Sequence, residues 1–151
     1  MIQIVFGSLD TDHDLIADLY DIGCTALHTV FTYPVCLKFG TADLLFGEEN
    51  VNAYYLEYDD ERSGGFAPLA KVSVDKKVVL GLVTTKTPAL ENKELVINRI
   101  HEAAKYVPLD RLYLSPQCGF ASCAIGNKLT EEEQWAKLKL VKEIAEEVWG
   151  E

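Results

Sequence analysis

Positive charge is scarce in this sequence relative to negative charge. Its 151 residues include 14 Lys and Arg against 24 Asp and Glu, for a formal net charge of -10. Nucleic-acid binding needs clustered Lys and Arg, and anionic membrane surfaces attract the same residues. The charge balance therefore argues against a nucleic acid or a membrane surface as a partner.

Long apolar runs and abundant cysteines are also lacking. No stretch reaches the ~18 uninterrupted apolar residues of a membrane-spanning helix. Residues 1–6 are apolar but follow no basic region, so they do not resemble a secretory signal. Four cysteines are too few for a disulfide framework at this length. We therefore expect a reduced, cytoplasmic protein.

Three apolar segments of the sequence are typical of buried strands. They cover residues 52–58, 77–84 and 111–115, and the second is continuous rather than alternating. Continuous apolar strands are typical of parallel sheets covered on both faces.

Two helices are predicted in the same part of the chain. The first covers about residues 91–106, and the second begins at Thr130 with Glu133 in a capping-box pattern. The first helix has an apolar stripe of Val96, Ile100, Ala103 and Val107. The predicted buried face of the second is Trp135, Leu138, Val141, Ile144, Ala145 and Val148.

The N-terminal third has weaker patterns. We predict a helix over 11–22, a strand over 25–31, and a loop plus one helical turn over 32–47. Together the elements make about four β/α units, which implies an α/β fold with parallel strands and right-handed crossovers. Four such units are half of a (β/α)8 TIM barrel and cannot close alone, so self-association is expected.

Two chemically reactive residues lie where strands end. Cys118 follows the strand at 111–115 in a Pro- and Gly-containing turn, and Glu57 stands near the end of the strand at 52–58. Parallel α/β proteins place their chemistry at this edge of the sheet. A thiolate and a carboxylate there are two candidate zinc ligands. The alternatives are a cysteine packed in a turn and a carboxylate that is solvated or paired with Arg62.

Four ordered motifs, at residues 56–66, 78–87, 114–120 and 129–138, resemble the C-terminal part of the cobalamin-independent methionine synthase family, and its short single-barrel members most closely. The resemblance covers about residues 46–150. It implies a TIM barrel that transfers a methyl group from a methyl-folate to the thiol of homocysteine, with zinc as cofactor. It thus implies a role in methionine biosynthesis.

The resemblance also implies a zinc site made of a His-x-Cys pair, a Glu and a distant Cys. The Glu corresponds to Glu57 and the distant Cys to Cys118. Cys36 is the candidate for the cysteine of the pair, but Pro34 occupies the place of its histidine and has no ligand atom. His28 is a candidate only through a rearranged loop, and otherwise a core histidine.

Further candidates rest on location. Thr84 and Thr85 follow the second strand and are predicted substrate-binding residues. The acidic run at 59–61 is either a solvated loop or a loop at the mouth of the active site.

Two hypotheses of function follow. We expect one partial TIM-barrel domain over 1–151, with 46–150 family-like and 1–45 divergent or internally deleted. The chain is either a zinc-dependent methyltransferase of the methionine synthase type or a catalytically inactive half-barrel remnant that acts only as a self-associating module. Whether it is an active enzyme stays open at this point.

Overall fold

The computed structural model describes residues 42–48, 51–121 and 128–150. Its helices are α1 (Ala42–Glu48), α2 (Lys93–Ala103) and α3 (Glu131–Trp149). Its strands are β1 (Ala53–Glu57), β2 (Lys77–Val83) and β3 (Leu112–Pro116). Short 3-10 helices cover Glu61–Ser63, Ala67–Lys71 and Leu109–Arg111. In these ranges no helix has the length and apolarity to cross a membrane.

The strands form one parallel sheet in the order β1-β2-β3. This confirms the predicted α/β class, and each strand lies within one residue of its predicted bounds. The ladder between β2 and β3 is irregular between Gly81 and Val83, which is typical of a β-bulge. The carboxyl ends of all three strands meet at one edge of the sheet.

One face of the sheet is covered by helices. Tyr54 and Leu56 of β1 share this face with Val78 and Leu80 of β2, because side chains alternate along a strand. The predicted stripe of α2 is buried against them, with Val96, Ile100, Ala103 and Val107 all in the same core. The α2 prediction is therefore confirmed.

Helix α3 begins as predicted, and Ile144 of its predicted buried face is in the core, but the other members of that face are not fully buried. Thr130 and Glu133 form a capping box. Trp135, however, is 60 % exposed, so its predicted burial is wrong. The buried residues of α3 are Lys137, Leu140 and Ile144. A search for apolar periodicity misses this buried face because one of its residues is the lysine Lys137.

The N-terminal predictions have mixed outcomes. Residues 42–48 form the seven-residue helix α1, so the helical turn predicted within 32–47 is present and is longer than expected. The predicted helix at 11–22 and strand at 25–31 lie outside the described residues.

The second face of the sheet, defined by Tyr55, Glu57, Lys77, Val79 and Tyr113, lies outside the helix-covered core. Tyr55 and Tyr113 are each 40 % exposed, and the Lys77 ammonium lies 5.3 Å from the Tyr113 ring centroid. In β3 only Leu112 is buried, so the prediction of a buried third strand holds for that residue alone. Parallel sheets are normally covered on both faces.

Tyr54 ties the sheet to α1. Its hydroxyl donates to the Leu45 carbonyl oxygen at 2.6 Å, and its ring packs edge-to-face against Phe46.

Tyr54→Phe should lower the free energy of unfolding by about 1–3 kcal/mol, because a buried carbonyl loses its donor. Urea denaturation measures the loss. Tyr55→Phe is the control and should stay within about 0.5 kcal/mol of wild type. Equal effects of both substitutions would contradict the role of the Tyr54 hydroxyl.

Candidate functional site

Glu57 is the last residue of β1 and belongs to the second face of the sheet. Its neighbour Tyr58 turns to the opposite side and joins the helix-covered core. Glu57 is only 8 % exposed, so its interpretation as a solvated carboxylate is wrong. Strand β1 thus places a buried carboxylate at the carboxyl edge, as the sequence predicted.

The backbone after β3 crosses the sheet at Gly81. This glycine pairs with Glu57 on one side and Ser115 on the other. A Cβ on Gly81 would lie 2.9 Å from Gln117 Cα and 2.9 Å from the Leu56 carbonyl oxygen. Because the register gives Gly81 the same face as Glu57, the chain at Gln117 passes over that face. Cys118, the next residue, is thereby brought to the edge where β1 ends.

Cys118 is a partly exposed free thiol with three polar neighbours. Its sulfur lies 2.9 Å from Gln117 Oε1, 3.1 Å from Thr85 Oγ1 and 3.4 Å from the Gly119 carbonyl oxygen. The Thr85 hydroxyl also donates to Gln117 Oε1 at 3.0 Å. Thr85 is fully buried, and its hydroxyl is held at the sulfur.

The two threonines therefore differ in their surroundings. The sequence placed Thr84 and Thr85 at this edge by location alone and gave no sign of the contact with Cys118. Thr84 uses its backbone N–H to bind Glu91, while its hydroxyl accepts a hydrogen bond from the Lys86 backbone. Binding of substrate by either residue stays a prediction.

An ion pair joins the loops that follow β1 and β2. The Lys86 ammonium lies 3.1 Å from Asp59 Oδ2, and the Asp59 side chain is only 3 % exposed. The interpretation of this acidic run as a solvated loop is therefore wrong for Asp59. Lys86 follows Thr85 in sequence, so its ammonium group lies at the same edge of the sheet.

The segment after Glu57 is fixed by Arg99 of α2. The Arg99 guanidinium donates to the Tyr58 carbonyl oxygen and lies 5.3 Å from the Phe66 ring centroid. Burial raises the pKa of Tyr58, and the positive charge of Arg99 partly opposes this. Burial lowers the pKa of Arg99, while Glu102 and other negative groups oppose that change. Tyr58 is thus neutral at physiological pH.

Glu57 and Cys118 offer the kinds of donor atom that zinc prefers. In residues 42–48, 51–121 and 128–150, no cluster of three or more His, Cys, Asp or Glu side chains could hold a metal ion. Catalytic zinc sites need three protein ligands. Further ligands would have to come from elsewhere, and the candidates Cys36 and His28 lie outside the described residues.

The sequence of this chain is similar to those of known proteins. The profile of the family described as "Cobalamin-independent synthase, Catalytic domain" matches residues 48–147. The chain belongs to the cobalamin-independent methionine synthase family. Its relatives include two uncharacterized proteins of Bacillus subtilis strain 168, YxjG and YxjH, which are 59 % and 55 % identical over 109 residues. These matches cover 72 % of this chain and 29 % of each relative.

Solved structures of family members share the fold. A Listeria monocytogenes protein, provisionally assigned as a vitamin-B12-independent methionine synthase, is 47 % identical with a TM-score of 0.60. That match covers 74 % of this chain and 31 % of the Listeria protein. A B12-independent methionine synthase from Shewanella sp. W3-18-1, solved with selenomethionine, is 22 % identical, with a TM-score of 0.62 over 82 % of this chain and 33 % of that one. The predicted half-barrel is thereby confirmed.

Gly81→Ala should reduce the free energy of unfolding by about 1–3 kcal/mol, because the new methyl group meets two backbones that must move apart. Gly47→Ala is the matched control. Gly47 lies in α1 with open space around it, so alanine there should be neutral or stabilising by about 0.5–1 kcal/mol. Chemical denaturation measures the free energy of unfolding of both variants. Equal values for the two variants would contradict the close approach of the backbones at Gly81.

Thr85→Val should slow alkylation of Cys118 by roughly two- to tenfold, because valine keeps the shape but removes the hydroxyl that contacts and orients the sulfur at 3.1 Å. Iodoacetamide labelling followed by fragment mass spectrometry measures Cys118 separately from the other cysteines. Thr84→Val is the control and should retain the wild-type rate. An unchanged or faster rate in Thr85→Val would show that the hydroxyl does not orient the Cys118 sulfur.

Proposed function

We propose that this chain is the zinc-binding part of a cytoplasmic methyltransferase of the methionine synthase type, in which homocysteine accepts a methyl group from a methyl-folate. The observation that carries the proposal is the crossing at Gly81, which directs Glu57 and Cys118 to one edge of the sheet. Membership of the family supports the same chemistry.

Each of the described site residues has a role in this proposal. The Glu57 carboxylate and the Cys118 sulfur are two zinc ligands. Zinc, when bound, lowers the pKa of a coordinated thiol and so favours the reactive thiolate at neutral pH. Thr85 and Gln117 orient the Cys118 sulfur through their contacts of 3.1 and 2.9 Å. The Thr85 hydroxyl can donate to that sulfur once its proton has left.

The reaction transfers a methyl group from a nitrogen of the methyl-folate to the sulfur of homocysteine. The homocysteine sulfur forms a bond to the methyl carbon while the bond from that carbon to a folate nitrogen breaks. The nitrogen takes up a proton, and the products are methionine and the demethylated folate. Lys86 lies in the loop after β2, is held by the buried Asp59 and is 47 % exposed, so its ammonium is the group of this pair that can contact polar parts of the substrates.

The site needs more chain than the described residues provide. Cys36 and His28 are the proposed sources of further ligands, within a single partial domain over 1–151 that is family-like over 46–150. The chain spans about 29 % of the curated relatives. The second face of the sheet, with Tyr55 and Tyr113 partly exposed, supports completion by another copy of the chain.

The alternative is a half-barrel that self-associates without catalysis. The same exposed tyrosines favour it, as does the substitution of Pro34 where the family has a histidine ligand. Both proposals predict an oligomer, but only the first predicts bound zinc.

Zinc content and native mass, measured together, test the two proposals. Elemental analysis of the purified chain should give about one zinc per chain. Cys118→Ser and Glu57→Gln should each lose it, because too few ligands remain. Homocysteine-dependent methyl transfer should then be assayed on the zinc-loaded oligomer.

The control is Tyr55→Phe, which changes the second face of the sheet but removes none of the proposed ligands and should retain zinc. An oligomer that contains no zinc would favour the non-catalytic module. A zinc content that survives both ligand substitutions would place the metal elsewhere in the chain.

A further inference from the structure

A buried ion pair joins α3 to the loop that follows β2. The Lys137 side chain is 0 % exposed, and its ammonium lies 3.1 Å from each carboxylate oxygen of Glu91. It also donates to the Ala89 carbonyl oxygen at 2.7 Å. All three protons of the ammonium therefore have an acceptor within the loop.

The same carboxylate holds the beginning of the loop. Glu91 Oε1 accepts a hydrogen bond from the Thr84 backbone N–H at 2.8 Å. Thr84 is the first residue after β2, and Glu91 precedes α2 by two residues. Glu91 thus links the two ends of the loop, and Lys137 fixes Glu91 from α3. We call Lys137, Glu91 and Thr84 the loop clamp.

The loop clamp lies one residue away from the candidate site. Thr85 follows the held amide of Thr84, is fully buried, and places its hydroxyl 3.1 Å from the Cys118 sulfur. A shift of the Thr84 backbone would move the Thr85 hydroxyl with it. The Lys137 charge is therefore connected to the Cys118 sulfur through a short chain of direct contacts.

The composition of the loop clamp argues against a purely structural role. Burial of a lysine is costly, and well-packed apolar residues often replace a buried ion pair without loss of stability. Buried ionic groups can instead define one geometry, which is a role to be tested for each protein. Here the geometry defined is that of the loop carrying Thr85.

We propose that Lys137 and Glu91 are positioning residues that hold the Thr85 hydroxyl against the Cys118 sulfur. This inference rests on the proposed function, because it takes Cys118 as a ligand at the reacting centre. The coupling between the loop clamp and Cys118 is measurable without zinc or activity, so the two proposals can fail separately.

A double-mutant cycle with Thr85→Val tests the coupling. The readout is the alkylation rate of Cys118, measured under conditions where each variant is folded. In the wild-type background Thr85→Val should slow labelling by roughly two- to tenfold. In the Lys137→Met background the hydroxyl is no longer held at the sulfur, so the same substitution should change the rate less than about twofold.

Glu147→Gln is the matched control background. Glu147 of α3 forms an ion pair with Lys93 of α2 at 2.7 Å, so its substitution removes an ion pair of the same helix α3 without touching the loop. Thr85→Val should keep its full effect there. A full effect in the Lys137→Met background as well would overturn the proposal and leave the ion pair a structural role only.

The combined variant Lys137→Met with Glu91→Gln covers the case in which Lys137→Met alone fails to fold. It removes both charges, so no unpaired buried charge remains, and it also removes the ion pair that fixes residue 91 from α3. Thr85→Val should again change the rate less than about twofold in this background, because the loop is no longer held. A full effect of Thr85→Val there would contradict the loop clamp as the cause.

Zinc titration of the same variants separates this inference from the proposed function. Lys137→Met should weaken zinc binding by roughly tenfold relative to Glu147→Gln, since one ligand is less well oriented. Equal zinc affinities would overturn the positioning of a metal ligand. A wild-type chain that binds no zinc would refute the proposed function, while the alkylation cycle would still decide the coupling.

Discussion

The close approach of three backbone segments at Gly81 is the constraint on which the site depends. The carbonyl of Leu56 and the Cα of Gln117 both lie where a side chain of residue 81 would begin. Only glycine leaves this space empty. This close approach lets the chain after β3 pass over β2 and brings Cys118 to the edge of the sheet where β1 ends at Glu57. A side chain at position 81 would push the Leu56 and Gln117 backbones apart, and would thereby separate the neighbouring proposed ligands Glu57 and Cys118.

The two faces of the sheet have different roles. Tyr54, Leu56, Val78 and Leu80 build the core with α2 and α3, and this burial supplies the hydrophobic stabilisation of the described part. The second face instead carries Glu57 at its carboxyl end and the partly exposed Tyr55 and Tyr113. A parallel sheet with one face in this state is consistent with part of a barrel, whose interior the remaining strands would cover.

Two ion pairs fix the loops beside the strand-end carboxylate of Glu57. Lys86 and Asp59 join the loops after β1 and β2, while Lys137 and Glu91 link the second of these loops to α3. Both pairs contain a nearly fully buried member, so screening by solvent is weaker than for the exposed pairs along α3. Loop geometry at the edge of the sheet is thus fixed by long-range contacts between distant parts of the sequence.

The sequence by itself determined the strands, the stripe of α2, the capping box at Thr130 and the strand-end positions of Glu57 and Cys118, because periodicity, caps and order along the chain are local properties. Its motifs also identified the family. Only the tertiary structure revealed the burial of Lys137, the exposure of Trp135, the crossing at Gly81 and the contact of Thr85 with Cys118. Each of these features depends on how segments distant in sequence pack together. The favourable burial of a charge, for example, depends on a partner that no local pattern specifies.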